Sequence, residues 1–213
     1  MARKHRAAGE LQQPWVCEAM GMAESPARRA GSAGRTLVVL RHAKSAWPPD
    51  VLDHDRPLAP RGCRDAPAAG QWLRASGNVP DCVVCSTARR TRETWQLAAA
   101  ELGATPPVTF RDEVYEASAA TLMNMIRRTP PEVGTLLLVG HGPAMQDLTL
   151  ALAGKEAADA PPGALERAGA KFPTAAIAVL AFTGAWSRLR PGQARLTGFV
   201  TPRDLGAGHR RDA

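Results

Sequence analysis

From Thr36 onward, short apolar strands alternate with stretches of helical periodicity, and this alternation constrains the fold more than any other feature of the chain. Runs at 36–40 (TLVVL), 81–85 (DCVVC), 107–110 (PVTF) and 135–139 (TLLLV) read as strands. Two later runs, 174–182 and 194–200, are separated by a connection rich in Gly, Trp and Pro and read as an antiparallel pair. Helical patterns lie between the strands. Residues 60–76 carry Ala69, Trp72 and Leu73 on one face, with Pro67 starting or kinking the helix. Residues 88–102 turn Trp95, Leu97, Ala98 and Leu102 inward, and 143–153 pack Met145, Leu148 and Leu152. Residues 118–128 repeat Leu122, Met125 and Ile126 behind Ser118, which suits an N-cap. The Ala/Pro/Gly-rich segment 154–170 reads as a loop with a helical turn. Together these elements predict an α/β fold, a three-layer α/β/α sandwich around a mostly parallel sheet with an antiparallel edge.

A chain of 213 residues with 45% hydrophobic and 22% charged residues can bury one sizeable core. One domain is expected over 36–202, preceded by a basic, aperiodic extension at 1–35 that reads as disordered and followed by a flexible tail at 203–213. The formal net charge of +7 is carried partly by those ends: Arg3, Lys4, Arg6, Arg28, Arg29 and Arg35 precede the first strand, and Arg203, Arg210 and Arg211 lie near the last residue. The central part is closer to neutral, which makes nucleic acid an unfavoured partner. No run approaches the length of a membrane span and no signal-type apolar segment follows the basic start, so a cytoplasmic protein without a membrane partner is expected. Cys82-Val-Val-Cys85 has the CxxC spacing of a metal or redox site, yet it lies within a strand, where residues three apart face opposite sides. Both cysteines are read as buried small hydrophobes.

Open α/β sheets place their sites beyond the carboxyl ends of the strands. Three such ends carry polar clusters: Arg41-His42, Ser86 to Arg90, and Gly140-His141-Gly142. If these strands are parallel neighbours, two imidazoles and several guanidiniums share one pocket. That set suits a phosphoryl group better than a metal, because arginine forks pair with phosphoryl oxygens and a neutral imidazole can attack phosphorus.

LRHAKS, SxxxRTRET and VGHG, in this order, resemble the histidine phosphatase superfamily, also called phosphoglycerate-mutase-like, over about residues 36–200. The resemblance places the family's Arg-His-Ala on Arg41, His42 and Ala43, and its Ser, Arg and Thr on Ser86, Arg90 and Thr94. Its Pro-Leu and Gly fall on Pro57, Leu58 and Gly62, and its second histidine on His141. RHAKS, DHDRPL at 53–58 and VYEAS at 114–118 are most similar to the compact branch that includes bacterial phosphohistidine phosphatases, which is metal-free and uses no cofactor. By this resemblance His42 is the nucleophile, while Arg41, Arg90 and His141 bind the phosphoryl oxygens. Ser45 and Gly142 are candidate substrate-binding residues. Asp112, Glu113 and Glu116 lie where a general acid is sought, although none of them aligns with the acid of the larger relatives. A phosphoramidate needs less help from such an acid, since imidazole leaves more readily than an alkoxide. The substrate is then a phosphorylated protein or a small phosphate. A mutase and a catalytically weak phosphate-binding module are the competing readings. His54, between Asp53 and Asp55, reads as a loop residue, Arg89 as a rim residue, and Trp47 as the tryptophan best placed to line a substrate mouth.

Overall fold

The computed structural model describes residues 34–154 and 162–207. Six strands, β1 (Gly34–Arg41), β2 (Cys82–Ser86), β3 (Val108–Arg111), β4 (Thr135–Gly140), β5 (Ile177–Thr183) and β6 (Arg195–Val200), form one sheet in the order β3-β2-β4-β1-β5-β6. The β3-β2, β2-β4 and β4-β1 pairings are parallel, whereas β5 runs antiparallel to both β1 and β6. The mixed sheet and its antiparallel edge are therefore as expected. So is the adjacency of β2, β4 and β1, whose carboxyl ends carry the three polar clusters.

Side chains alternate across the central strands and feed two cores. Leu37, Val39, Cys82, Val84, Leu136 and Leu138 pack on one face. The helices α3 (Ala119–Ile126), α4 (Ala144–Leu152) and α5 (Ala164–Ala170) cover that face with Leu122, Ile126, Met145, Leu148 and Ala168. Val38, Leu40, Val83, Cys85, Leu137 and Val139 point the other way. They meet Ala69 and Leu73 of α1 (Pro60–Ala75) and Trp95 of α2 (Arg89–Ala99). Because these strands are buried on both faces, they read in sequence as continuous apolar runs rather than as alternating ones. Cys82 and Cys85 thus lie in different cores, and burial pushes the Cys85 thiol up from its ordinary value.

Helix boundaries follow local chemistry. Pro60 begins α1, where its missing N–H costs nothing, and Pro67 lies inside that helix without ending it. Ser118 caps α3, its hydroxyl accepting from the Thr121 N–H at 3.1 Å.

Two expected boundaries move. Strand β1 takes in Gly34 and Arg35, which had been assigned to the disordered extension. Arg35 Nε donates to the Gly184 carbonyl at 2.7 Å and an Arg35 terminal nitrogen to that of Val133 at 3.1 Å, and the strand continues along β5 with Arg35 opposite Phe182 and Gly34 opposite Thr183. At the other end, Pro202–Ala207 forms helix α6. Leu205 packs on the second core, and Asp204 pairs with Arg167 at 2.6 Å, so the expected flexible tail is helical up to Ala207. The remaining residues of the expected extension and tail, and 155–161 of the expected loop, lie outside the described residues. Among the described residues no helix is long and apolar enough to cross a membrane.

Candidate active site

His42 follows β1 directly, with its backbone N–H donating to the Gly140 carbonyl at 2.9 Å. The next peptide is fixed from α2: the Ala43 N–H donates to Thr94 Oγ1 at 2.9 Å, and Thr94 Oγ1 donates in turn to the Arg90 carbonyl at 2.6 Å. Gly62 lets α1 press against the same loop, since a Cβ there would stand 2.2 Å from the Lys44 carbonyl oxygen. The loop after β1 is therefore held from three sides. A nucleophile on it has little freedom to drift.

His42 is 8% exposed, and its Nδ1 lies 2.8 Å from the Ala43 carbonyl oxygen. A carbonyl can only accept, so Nδ1 carries the proton and Nε2 keeps its lone pair. Burial pushes the His42 pKa down to about 4, helped by the positive charge of Arg90, Arg41 and Arg56 and opposed by the Ala43 carbonyl. At neutral pH the ring is uncharged. Its Nε2 can attack an electrophile without first losing a proton.

His141 stands beside it, with ring centroids 5.2 Å apart. Its Nε2 lies 2.9 Å from Ser86 Oγ, which also accepts from the Ala88 N–H at 3.3 Å. Ser86 Oγ can donate to Nε2 in the Nδ1–H form of the ring and accept from it in the Nε2–H or protonated form, so the contact orients the ring in each. Nδ1 is buried and has no hydrogen-bond partner. Burial first, then His42 and Arg90, push the His141 pKa down to about 3.

The guanidiniums come from the expected strand ends. Arg41 donates to the Phe172 carbonyl at 2.6 Å, and its buried Nε has no partner. Gly142 makes room for it: a Cβ at that position would meet Arg41 Cζ at 2.9 Å. Gly142, expected as a substrate contact, is thus placed against Arg41. Arg90 is 6% exposed and directs both terminal nitrogens at Asp53, one to its backbone carbonyl at 2.5 Å and one to its carboxylate at 3.0 Å. Ser45 is buried and accepts from Arg56 at 2.6 Å. Arg56 lies over the Trp47 ring, 3.0 Å from its centroid, which ties this exposed tryptophan to the pocket rim.

Glu113 and Glu116 are exposed, and neither makes a hydrogen bond or ion pair to the pocket among the described residues. The segment turns so that Val114 enters the core and Tyr115 faces the histidines, with Glu116 at a φ of 57° completing the turn. Tyr115 packs edge-on to His141, with centroids 5.4 Å apart, and its hydroxyl donates to Asp53 at 2.7 Å. Asp53 also accepts from Arg56 at 2.7 Å. The Tyr115 hydroxyl and the Arg56 and Arg90 guanidiniums hold the Asp53 carboxyl well below the usual carboxylate range. Asp53 raises the Tyr115 pKa in return. His54 sits at the edge of this group, 3.1 Å from Thr87 Oγ1, and Arg89 lies outside it in an ion pair with Glu93 at 2.7 Å. Asp53, Arg56 and Tyr115 were not singled out from sequence, although DHDRPL and VYEAS contain them. Among the described residues, no group of three or more His, Cys, Asp and Glu side chains could hold a metal ion.

The family description "Histidine phosphatase superfamily (branch 1)" matches residues 37–132. An uncharacterized protein of Mycobacterium tuberculosis is 46% identical over 164 residues, covering 77% of this chain and all of that one. A solved structure from Nakamurella multipartitia, described as "Putative Phosphohistidine Phosphatase SixA", is 39% identical, with a TM-score of 0.70 over 80% of this chain and 98% of that one. The structure of the protein histidine phosphatase SixA complexed with tungstate shares the fold, with a TM-score of 0.64 over 80% of this chain and 99% of that one at 21% identity. Motif order, strand order and relatives matched along their whole length agree, and the chain belongs to the histidine phosphatase superfamily.

Proposed function

We propose that the protein is a phosphatase that takes a phosphoryl group onto His42 Nε2 and releases it to water, with a phosphoramidate, above all the phosphohistidine of a protein, as its substrate. The observation that carries this reading is the Nδ1–H bond from His42 to the Ala43 carbonyl, which leaves the Nε2 lone pair free on a ring that neighbours His141 and feels the charge of Arg90 and Arg41. In the first step the Nε2 lone pair forms a bond to phosphorus. The bond from phosphorus to the leaving nitrogen breaks, and its electron pair stays with that nitrogen. In the second step a water oxygen attacks phosphorus, the bond to Nε2 breaks, and His42 recovers its lone pair as phosphate departs. Arg41 Nε–H is a buried donor without a partner and His141 Nδ1 is buried and equally unpartnered, as suits groups that bind oxygens carrying developing charge, the imidazole when it bears a proton there.

The substrate class rests on what can protonate a leaving group. Asp53 is held ionised, and Glu113 and Glu116 are exposed away from the histidines. An alkoxide needs an acid to leave, whereas an imidazole does not. The similarity to the Nakamurella protein supports the same class. The reading is tested with a phosphohistidine peptide, phosphoramidate, 4-nitrophenyl phosphate and 3-phosphoglycerate, each assayed on wild type and His42→Ala. The phosphorus–nitrogen substrates should be favoured, and His42→Ala should lose activity on all of them. Preference for 3-phosphoglycerate, or transfer of its phosphate to a second hydroxyl, would overturn it.

A further inference from the structure

Asp53 places a carboxylate in a pocket whose other charged groups are all suited to an anion. It is no bystander, because its two oxygens accept from Arg56, Arg90 and Tyr115, and its backbone carbonyl takes the other terminal nitrogen of Arg90. It also lies at the open side. The Asp53 side chain is 47% exposed, against 7% for the Arg90 and Arg56 side chains. In-line displacement by the buried His42 sends the leaving group away from the floor and so toward this open side. Asp53, His54 and Tyr115 form a connected group there.

Charge decides what that group tolerates. Arg41, Arg56 and Arg90 contribute three positive charges and Asp53 one negative charge. A phosphoryl dianion brings this set to neutrality. A leaving group with its own carboxylate then meets Asp53 with no compensating guanidinium left among the four. A leaving group with a cation or a ring N–H instead finds a carboxylate acceptor. Asp53 stays ionised through the neutral range because Tyr115, Arg56 and Arg90 all favour its charged form.

We propose that Asp53 is a specificity-determining residue that selects substrates by the charge of the leaving group, accepting cationic or N–H-bearing groups such as a protonated phosphoimidazole and disfavouring anionic ones. This rests on the phosphatase reading and adds the basis of its selectivity. Protonation of the second ring nitrogen of a phosphoimidazole makes the departing group a neutral imidazole, so the form that Asp53 attracts is also the form that leaves best.

The test uses phenyl phosphates that differ only at the para position: trimethylammonium, acetyl and carboxylate. Wild type should rank kcat/KM in that order, and Asp53→Asn should reduce the ratio of the cationic to the anionic substrate at least tenfold. Tyr115→Phe removes a hydrogen bond but keeps the charge, and should keep the wild-type order. Thermal stabilisation by the corresponding para-substituted phenylphosphonates reads the same order without turnover. Equal affinity of wild type for the cationic and anionic phosphonates, an unchanged ratio in Asp53→Asn, or the same collapse in Tyr115→Phe would overturn the proposal. Absence of turnover on every phosphate and on phosphoramidate, with the phosphonate order intact, would count against the phosphatase reading and leave the role of Asp53 standing.

Discussion

His42 and His141 are both neutral at physiological pH, but for opposite uses. His42 needs a free lone pair, whereas His141 gains by becoming a cation once phosphoryl oxygens lie against it. An unfolded chain protonates such imidazoles near their ordinary value of 6.5, while in the folded protein protonation waits until about 4 and about 3. Below pH 6.5 the unfolded state therefore binds more protons than the folded one. The stability these groups contribute is complete above 6.5, falls as the pH drops toward the folded values, and levels off beneath them. Thermal melts between pH 7 and pH 4 should show this decline. Sulfate, whose charge is constant over that range, should raise Tm more at pH 5 than at pH 8, because the anion favours the protonated form of His141. Equal stabilisation at both values would remove His141 from the anion site. Ser86 orients the His141 ring, so Ser86→Ala should lower kcat/KM by about tenfold or more, measurable by steady-state kinetics, while costing only about 1 kcal/mol of stability for the lost hydrogen bond.

The active loop depends on how closely α1 approaches its neighbours. Gly62 lies against the Lys44 carbonyl, and Gly70 against the Ala98 carbonyl, where a Cβ would stand 2.1 Å away. Gly62→Ala should lower both Tm and phosphatase activity, because it pushes the loop that carries His42. Gly70→Ala should lower Tm by a comparable amount, corresponding to about 1–3 kcal/mol of overpacking, with a smaller effect on kcat. Melting curves and steady-state rates on the two variants separate the roles. At this scale most of the fold was legible. Strands buried on both faces announce themselves as apolar runs, and helices with one buried stripe show their period, as Leu122 and Ile126 or Met145, Leu148 and Leu152 do. The end of β1 was less visible, because the backbone pairing of Gly34 and Arg35 with β5 leaves no apolar signature. The part of the candidate site that was legible is the set at and just after the strand ends, Arg41, His42, Arg90 and His141, which the structure brings together. The part in the loops was not legible. Asp53 and Tyr115 meet across 62 residues of sequence, and neither lies in a periodic pattern that reports which way its side chain points.

For the molecule as a whole, the pocket side chains named among the described residues lie between Arg41 and His141, mostly on loops held by the strands and helices around them. Deleting residues 1–33, a segment that includes Arg3, Lys4, Arg6, Arg28 and Arg29, should therefore leave kcat/KM for a small phosphoramidate within about twofold of the full chain. Any nucleic-acid affinity of the full chain should fall with the deletion. The sheet order explains why three distant motifs act as one site: β2, β4 and β1 are parallel neighbours, and their carboxyl ends bring Ser86, His141 and His42 together. The central claim is that this sheet presents His42 as a nucleophile. The most direct measurement mixes the protein with a radiolabelled phosphohistidine peptide, quenches the reaction in alkali within milliseconds, and maps the label. Label on His42, stable to base, lost in acid and absent from His42→Ala, is the predicted result. Label on another residue, or turnover undiminished in His42→Ala, would contradict it.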